Sequence, residues 1–121
     1  SVTTFAELID VVRRSDTVVL PIYLDTVKEG RHNGTPASAY ALAQQELSEL
    51  ASVSGNTVYQ ARKVEDLNGV YAQVIRDLST IYSIGYRPAN RVRDGSWRAV
   101  AVQLVGRPDL VVRARRGYYA K

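Results

Sequence analysis

The single histidine of the 121-residue chain, His32, sits in a loop flanked by Gly30 and Gly34, and there is no cysteine. Covalent or acid–base catalysis needs an activated nucleophile or paired groups that titrate against each other. His32 has no thiol to pair with and no serine elbow, so it reads as a solvated loop residue. Neither a Gly-x-x-x-x-Gly-Lys phosphate loop nor a Gly-x-Gly-x-x-Gly fingerprint occurs. Asp10, Glu46, Glu49, Glu65, Asp66 and Asp77 fall on expected helices among polar neighbours, which is the pattern of a water-facing surface. No catalytic residue is assigned, and the chain is not expected to be an enzyme.

Metal chemistry is equally sparse. Without cysteine a thiolate site is impossible, and a hard cation needs several converging oxygen ligands. Asp25-Thr26, at the carboxyl end of an expected strand, is the best local candidate, because ligands gather there in parallel sheets. A loop-starting aspartate is also commonplace as a turn residue, and that reading is preferred. No metal and no cofactor are expected. Asn33-Gly34-Thr35 matches a glycosylation sequon, to which no role is assigned.

The third chemical signal is charge. Residues 87–121 carry nine basic and two acidic side chains, against seven basic and ten acidic in residues 1–86. Arginine next to tyrosine invites a nucleic-acid reading, with guanidinium groups on phosphate and rings on bases. The cluster Arg113, Arg115, Arg116, Tyr118, Tyr119 is the candidate interaction surface, yet it matches no RNA-binding signature. A solvated, arginine-rich strand surface is the preferred account. An anion- or nucleic-acid-binding module is the alternative, and nucleic acid is not the expected partner.

These residues need elements to hold them. Thr4 and Glu7 have capping-box spacing, followed by an apolar stripe at Phe5, Leu8, Ile9 and Val12 and by Arg13 and Arg14 in the last turn. The run Thr17–Leu24 has no alternation, which predicts a strand covered on both faces, although Pro21 cannot donate to a ladder. After the polar loop 25–35, Thr35 as cap and Pro36 at the first position predict a helix. Its stripe is Tyr40, Ala43, Leu47, Leu50 and Ala51, and Gly55 ends it. Thr57-Val58-Tyr59 reads as a short strand. Leu67, Val70, Tyr71, Val74, Ile75 and Leu78 mark a third helix.

The order α-β-α-β-α predicts a sheet flanked by helices. From Tyr82 the period changes to two. Tyr82, Ile84 and Tyr86 alternate with polar residues, as do Val100, Val102 and Leu104 after an Asp94-Gly95 turn. Leu110, Val112 and Ala114 do the same after Gly106-Arg107-Pro108-Asp109. Tyr40, Tyr71, Tyr82 and Tyr86 are expected as core residues with polar tips. This tail is expected to add antiparallel strands to the sheet's edge.

At this length the chain is one domain or a piece of one. It divides into an α/β part, residues 1–81, and a β tail, residues 82–121. A hydrophobic content of 45% and a charged content of 23% suit a globular chain. No stretch reaches the roughly 18 apolar residues of a membrane span, and no signal peptide opens the sequence. There is no methionine, even at position 1, so a processed or recombinant fragment of a longer protein is expected.

Three ordered tail motifs carry a resemblance. Tyr82-Ser83-Ile84-Gly85-Tyr86-Arg87-Pro88, Asp94-Gly95-Ser96-Trp97-Arg98 and Val112-Arg113-Ala114-Arg115-Arg116-Gly117-Tyr118-Tyr119-Ala120 resemble the end of acidobacterial-type von Willebrand factor A-related (vWA-related) domain proteins. Leu50-Ala51 through Ser54-Gly55-Asn56, and Asp66-Leu67 through Tyr71, are similar to its earlier stretches. Ser54-Gly55-Asn56 stands where that family has Thr-Gly-Gly.

The resemblance implies a partial doubly wound, Rossmann-like sheet with flanking helices and a carboxy-terminal antiparallel β extension. It also implies a protein-interaction or adhesion module, secreted or on the cell envelope. The family's metal-dependent adhesion motif, Asp-x-Ser-x-Ser, is missing. The nearest match, Asp77-Leu78-Ser79-Thr80-Ile81, lacks the last serine and lies on an expected helix. In the family's strand order Thr17–Leu24 is an interior strand, so Val18, Leu20, Ile22 and Leu24 form a candidate dimer edge. The expected partner is another protein or a second copy joined there.

Overall fold

The computed structural model describes residues 3–25 and 36–121. The first helix, α1, spans Phe5–Arg14. The Thr4 hydroxyl accepts from the Glu7 amide, and the Glu7 carboxylate accepts from the Thr4 amide, completing the expected capping box. Ile9 and Val12 turn inward against Val53, with Phe5, Val19 and Leu50 packed around them. Leu8 stays exposed.

Extended chain leads from α1 to a strand shorter than the apolar run, β1, Ile22–Leu24. Hydrogen bonding explains the shortening. The Ser54 hydroxyl takes both backbone groups of Val19, accepting its N–H and donating to its carbonyl. Pro21 has no N–H, but its buried carbonyl accepts from the Tyr59 amide at 2.9 Å. A regular ladder can begin only after it.

Helix α2, Ala37–Val53, follows, with Pro36 at the cap position, so the helix begins one residue later than expected. Its expected cap Thr35 lies outside the described residues, as do Thr26, His32 and the sequon Asn33-Gly34-Thr35. The helix ends in a Schellman motif: the Asn56 amide reaches the Ala51 carbonyl at 2.8 Å, and the Gly55 amide reaches Ser52 at 3.0 Å. Gly55 supplies the positive φ of 81° that this closure requires. Because Asn56 still serves the helix end, the next strand starts late. β2 is Tyr59–Ala61, and only Tyr59 of the expected Thr57–Tyr59 belongs to it.

β1 and β2 are parallel, with Ile22 opposite Tyr59 and Leu24 opposite Ala61. Parallel pairing across a helical crossover is the α/β unit the element order predicted. A 3₁₀ turn, Val64–Asp66, leads into α3, Leu67–Leu78. The helix stands where its stripe placed it, yet none of its residues is buried, and Tyr71, Ile75 and Leu78 are exposed. Periodicity reveals which face of a helix wants cover, not whether a layer covers it.

The chain is thus a mixed α/β protein, and the doubly wound sheet implied by the resemblance is not present among the described residues. There are instead two separate two-stranded sheets. The tail contributes β3, Trp97–Ala99, antiparallel to β4, Gly117–Tyr119, and this pair does not join β1 or β2. The expected strands around Tyr82, Ile84 and Tyr86, and those of Val102 and Leu104 against Leu110, form no regular ladder. Tyr82 and Ile84 are 85% and 78% exposed, so the expectation that they face a core is corrected. An alternating strand needs a paired neighbour to define its inward face, and none lies beside them.

The core is accordingly thin. Its buried apolar residues are Ile9, Val12, Ala51, Val53, Ala61 and Ala120, and no large side chain among the described residues is fully enclosed.

Candidate functional site

The tail meets the helical part at the carboxyl end of α1, where three of the candidate interaction residues, Arg115, Arg116 and Tyr119, come together. Trp97 and Tyr119 stand opposite each other on β3 and β4, with rings 4.9 Å apart in an edge-to-face arrangement. Gly117 permits this. A Cβ there would come within 2.6 Å of the Trp97 ring and 2.3 Å of the Arg98 carbonyl. Asp10, Arg13 and Arg14, on one face of α1, close over the pair. The Arg13 guanidinium lies 5.6 Å from the Trp97 ring centroid, and that of Arg14 4.5 Å from Tyr119. Arg14 also pairs with Asp10 at 2.8 Å. The Tyr119 hydroxyl is at hydrogen-bond range from Asp10, 3.5 Å. The Arg14 hydrogen bond, then its charge and the Tyr119 hydroxyl, hold the Asp10 carboxyl below the usual aspartate range.

Arg115 is a structural tie. Its guanidinium donates to the Thr17 carbonyl at 2.7 Å and, at 3.4 Å, to the Val12 carbonyl in the last turn of α1, which also accepts from the Ser15 amide and hydroxyl. Beside it, Ala114 and Arg115 press against Gly55, where an added Cβ would sit 2.8 Å from their backbone. The Arg113 charge favours the ionised forms of Tyr59 and Asp77. The Tyr59 hydroxyl donates to Asp77 at 2.6 Å. That bond and the one from Gln73 lower the Asp77 pKa, while loss of hydration and the carboxylate raise that of Tyr59.

The five candidate tail residues therefore divide by role. Arg115 and Tyr119 stitch the tail to α1. Arg116 faces a cleft of ≈ 330 Å³ shared with Arg13, Val53, Trp97 and Tyr119. Tyr118 packs edge-on to Tyr86, 6.4 Å away, at the margin of a broader basic groove. Sequence reasoning missed Trp97, Arg13 and Asp10 as partners of this cluster. The one signal available was the helical spacing of Asp10, Arg13 and Arg14.

Along the candidate dimer edge, Val18 is exposed and Leu20, Ile22 and Leu24 are half-buried. β1 has β2 as its one strand neighbour among the described residues. Asp25 donates its amide to the Ala61 carbonyl at 2.9 Å. Among the described residues no group of three or more acidic, histidine or cysteine side chains is placed to hold a metal ion. No described helix is long and apolar enough to cross a membrane.

Comparison with protein-family models, curated proteins and solved structures finds no match to the chain.

Proposed function

We propose that the chain is a non-catalytic protein-interaction module of the adhesion type, related to vWA domains, from a secreted or cell-envelope bacterial protein. One observation carries the reading. The chain exposes 9404 Å² of surface at 13.4 kDa, whereas a compact monomer of that mass exposes about 6,500 Å². An excess of this order is the size of an obligate interface, which runs from about 2,000 Å² upward. Much of it is apolar: Tyr71, Ile75 and Leu78 on α3, and Ile81, Tyr82 and Ile84 beyond it. Exposed apolar area on this scale marks a surface that another protein covers. The ordered tail motifs support the vWA relationship, and the missing adhesion motif argues for contact without a metal.

The edge of β1 offers one way to meet the need. Two copies pairing through Val18–Leu24 would satisfy the backbone groups of both edges, and a two-fold dimer is the commonest closed arrangement. Light scattering on the purified chain, with binding of an apolar dye, tests the proposal. Dimers or larger assemblies, or a monomer that binds the dye strongly, are expected. A monodisperse monomer of about 13 kDa that unfolds cooperatively and excludes the dye would overturn it.

A further inference from the structure

Behind β3 the tail folds a loop into a groove of ≈ 460 Å³ walled by Arg87, Arg91 and Arg93, with Lys121 at its rim and Tyr118 beside it. The loop is pinned rather than draped. The Arg98 guanidinium donates to the carbonyls of Asn90 and Val92, and the Val92 amide donates back to the Asn90 side chain at 3.0 Å. Arg98 thereby spends its donors on backbone and acts as a positioning residue. Arg91, between the two clamped carbonyls, and Arg93, just after them, form no ion pair among the described residues; nor does Arg87.

No aspartate or glutamate is among the residues that line the groove. The nearest along the chain, Asp94, is already engaged: it accepts from the Ser96 amide and hydroxyl and lies 3.8 Å from Arg98. The pinned backbone brings three exposed arginines to the lining of one groove, and like charges gathered there favour an anion with several closely spaced charges. Arginine's planar fork meets tetrahedral oxyanions with paired hydrogen bonds.

We propose that this groove binds an oligophosphate, two or more linked phosphate groups, through Arg87, Arg91 and Arg93. The proposal does not rest on the protein-interaction reading and has a different readout. Because the arginines are exposed, binding is screened by salt.

Calorimetric titration of the whole chain with sodium tripolyphosphate at low ionic strength reads it out. Binding should weaken about tenfold or more in the double variant Arg91→Ala/Arg93→Ala, which removes two charge-assisted contacts. It should be unchanged in Arg107→Ala, whose guanidinium pairs with Asp109 away from the groove. Circular dichroism confirms that the variants fold. A nucleoside triphosphate in a parallel arm separates the sources. Equal affinity means that the phosphate chain alone is read, and tighter binding means a nucleotide with its base beside Tyr118; either outcome supports the proposal. Absence of tripolyphosphate binding, or binding indifferent to the double variant, overturns it. So does a single-stranded oligonucleotide held by the same arginines ten times more tightly, which would make the groove a nucleic-acid site.

Discussion

Replacing Gly55 with alanine acts on two links at once, the closure of α2 and the docking of the tail. Its φ of 81° places it in the left-handed region, where a side chain costs about 1–2 kcal/mol. The new Cβ would also meet the Ala114 carbonyl carbon and the Arg115 amide nitrogen, both at 2.8 Å. Those are backbone atoms, so neither can rotate aside. Forcing a methyl group into such a contact costs about 1–3 kcal/mol. The lower entropy of the unfolded alanine chain returns about 0.4–1 kcal/mol.

The net expectation for Gly55→Ala is a loss of about 1–5 kcal/mol, or a fall in Tm on the order of 4–20 °C for a domain of this size. Urea unfolding followed by far-ultraviolet circular dichroism measures the loss, and the single tryptophan, Trp97, reports the tail. Because the contact binds the tail to the end of α2, the tryptophan signal should shift at lower urea than the helical one. Gly69→Ala is the control. It lies within α3 with nothing within 4 Å of an added Cβ and should gain about 0.5–1 kcal/mol. If Gly55→Ala lies within about 0.5 kcal/mol of the parent, the proposed docking of tail on helix end is wrong.

Ser54→Ala should cost about 1–3 kcal/mol by denaturant titration. It strips the buried hydroxyl from both backbone groups of Val19, and a neutral outcome would mean that water replaces it. The depressed Asp77 pKa means its ionised form is preferred on folding. Its contribution is therefore complete above the unfolded value, near pH 4, and is lost as pH falls through the lower folded value. Asp77→Asn should flatten that part of the acid limb, and an unchanged limb would show that Tyr59 does not hold the carboxylate. The raised Tyr59 pKa works in the opposite direction. Its contribution is present below about pH 10 and is lost as pH rises through the higher folded value, so Tyr59→Phe should flatten the alkaline limb of the same melting curve.

What the sequence determined by itself is local. The capping box at Thr4 and Glu7, the end of α2 at Gly55 and the span of α3 depend on neighbours within a few residues, and each stands where its pattern placed it. The parallel α/β unit followed from element order. Boundaries shifted where another group took a backbone partner: the distant Ser54 at Val19, and the closure of α2 through Asn56, which delayed β2. Only the tertiary structure decided that β3 and β4 form their own sheet, and that Arg115 serves the end of α1 rather than the surface. It also decided that Asp10, Arg13 and Arg14 close over Trp97 and Tyr119. The β3–β4 partners are about twenty positions apart and the contacts with α1 and Thr17 about 80–110, and hydrophobic period does not name a partner at either range. An alternating strand such as Tyr82–Tyr86 says that one face wants burial. Which layer buries it is set by whatever packs there: Tyr118 meets the edge of Tyr86, while Tyr82 and Ile84 stay exposed.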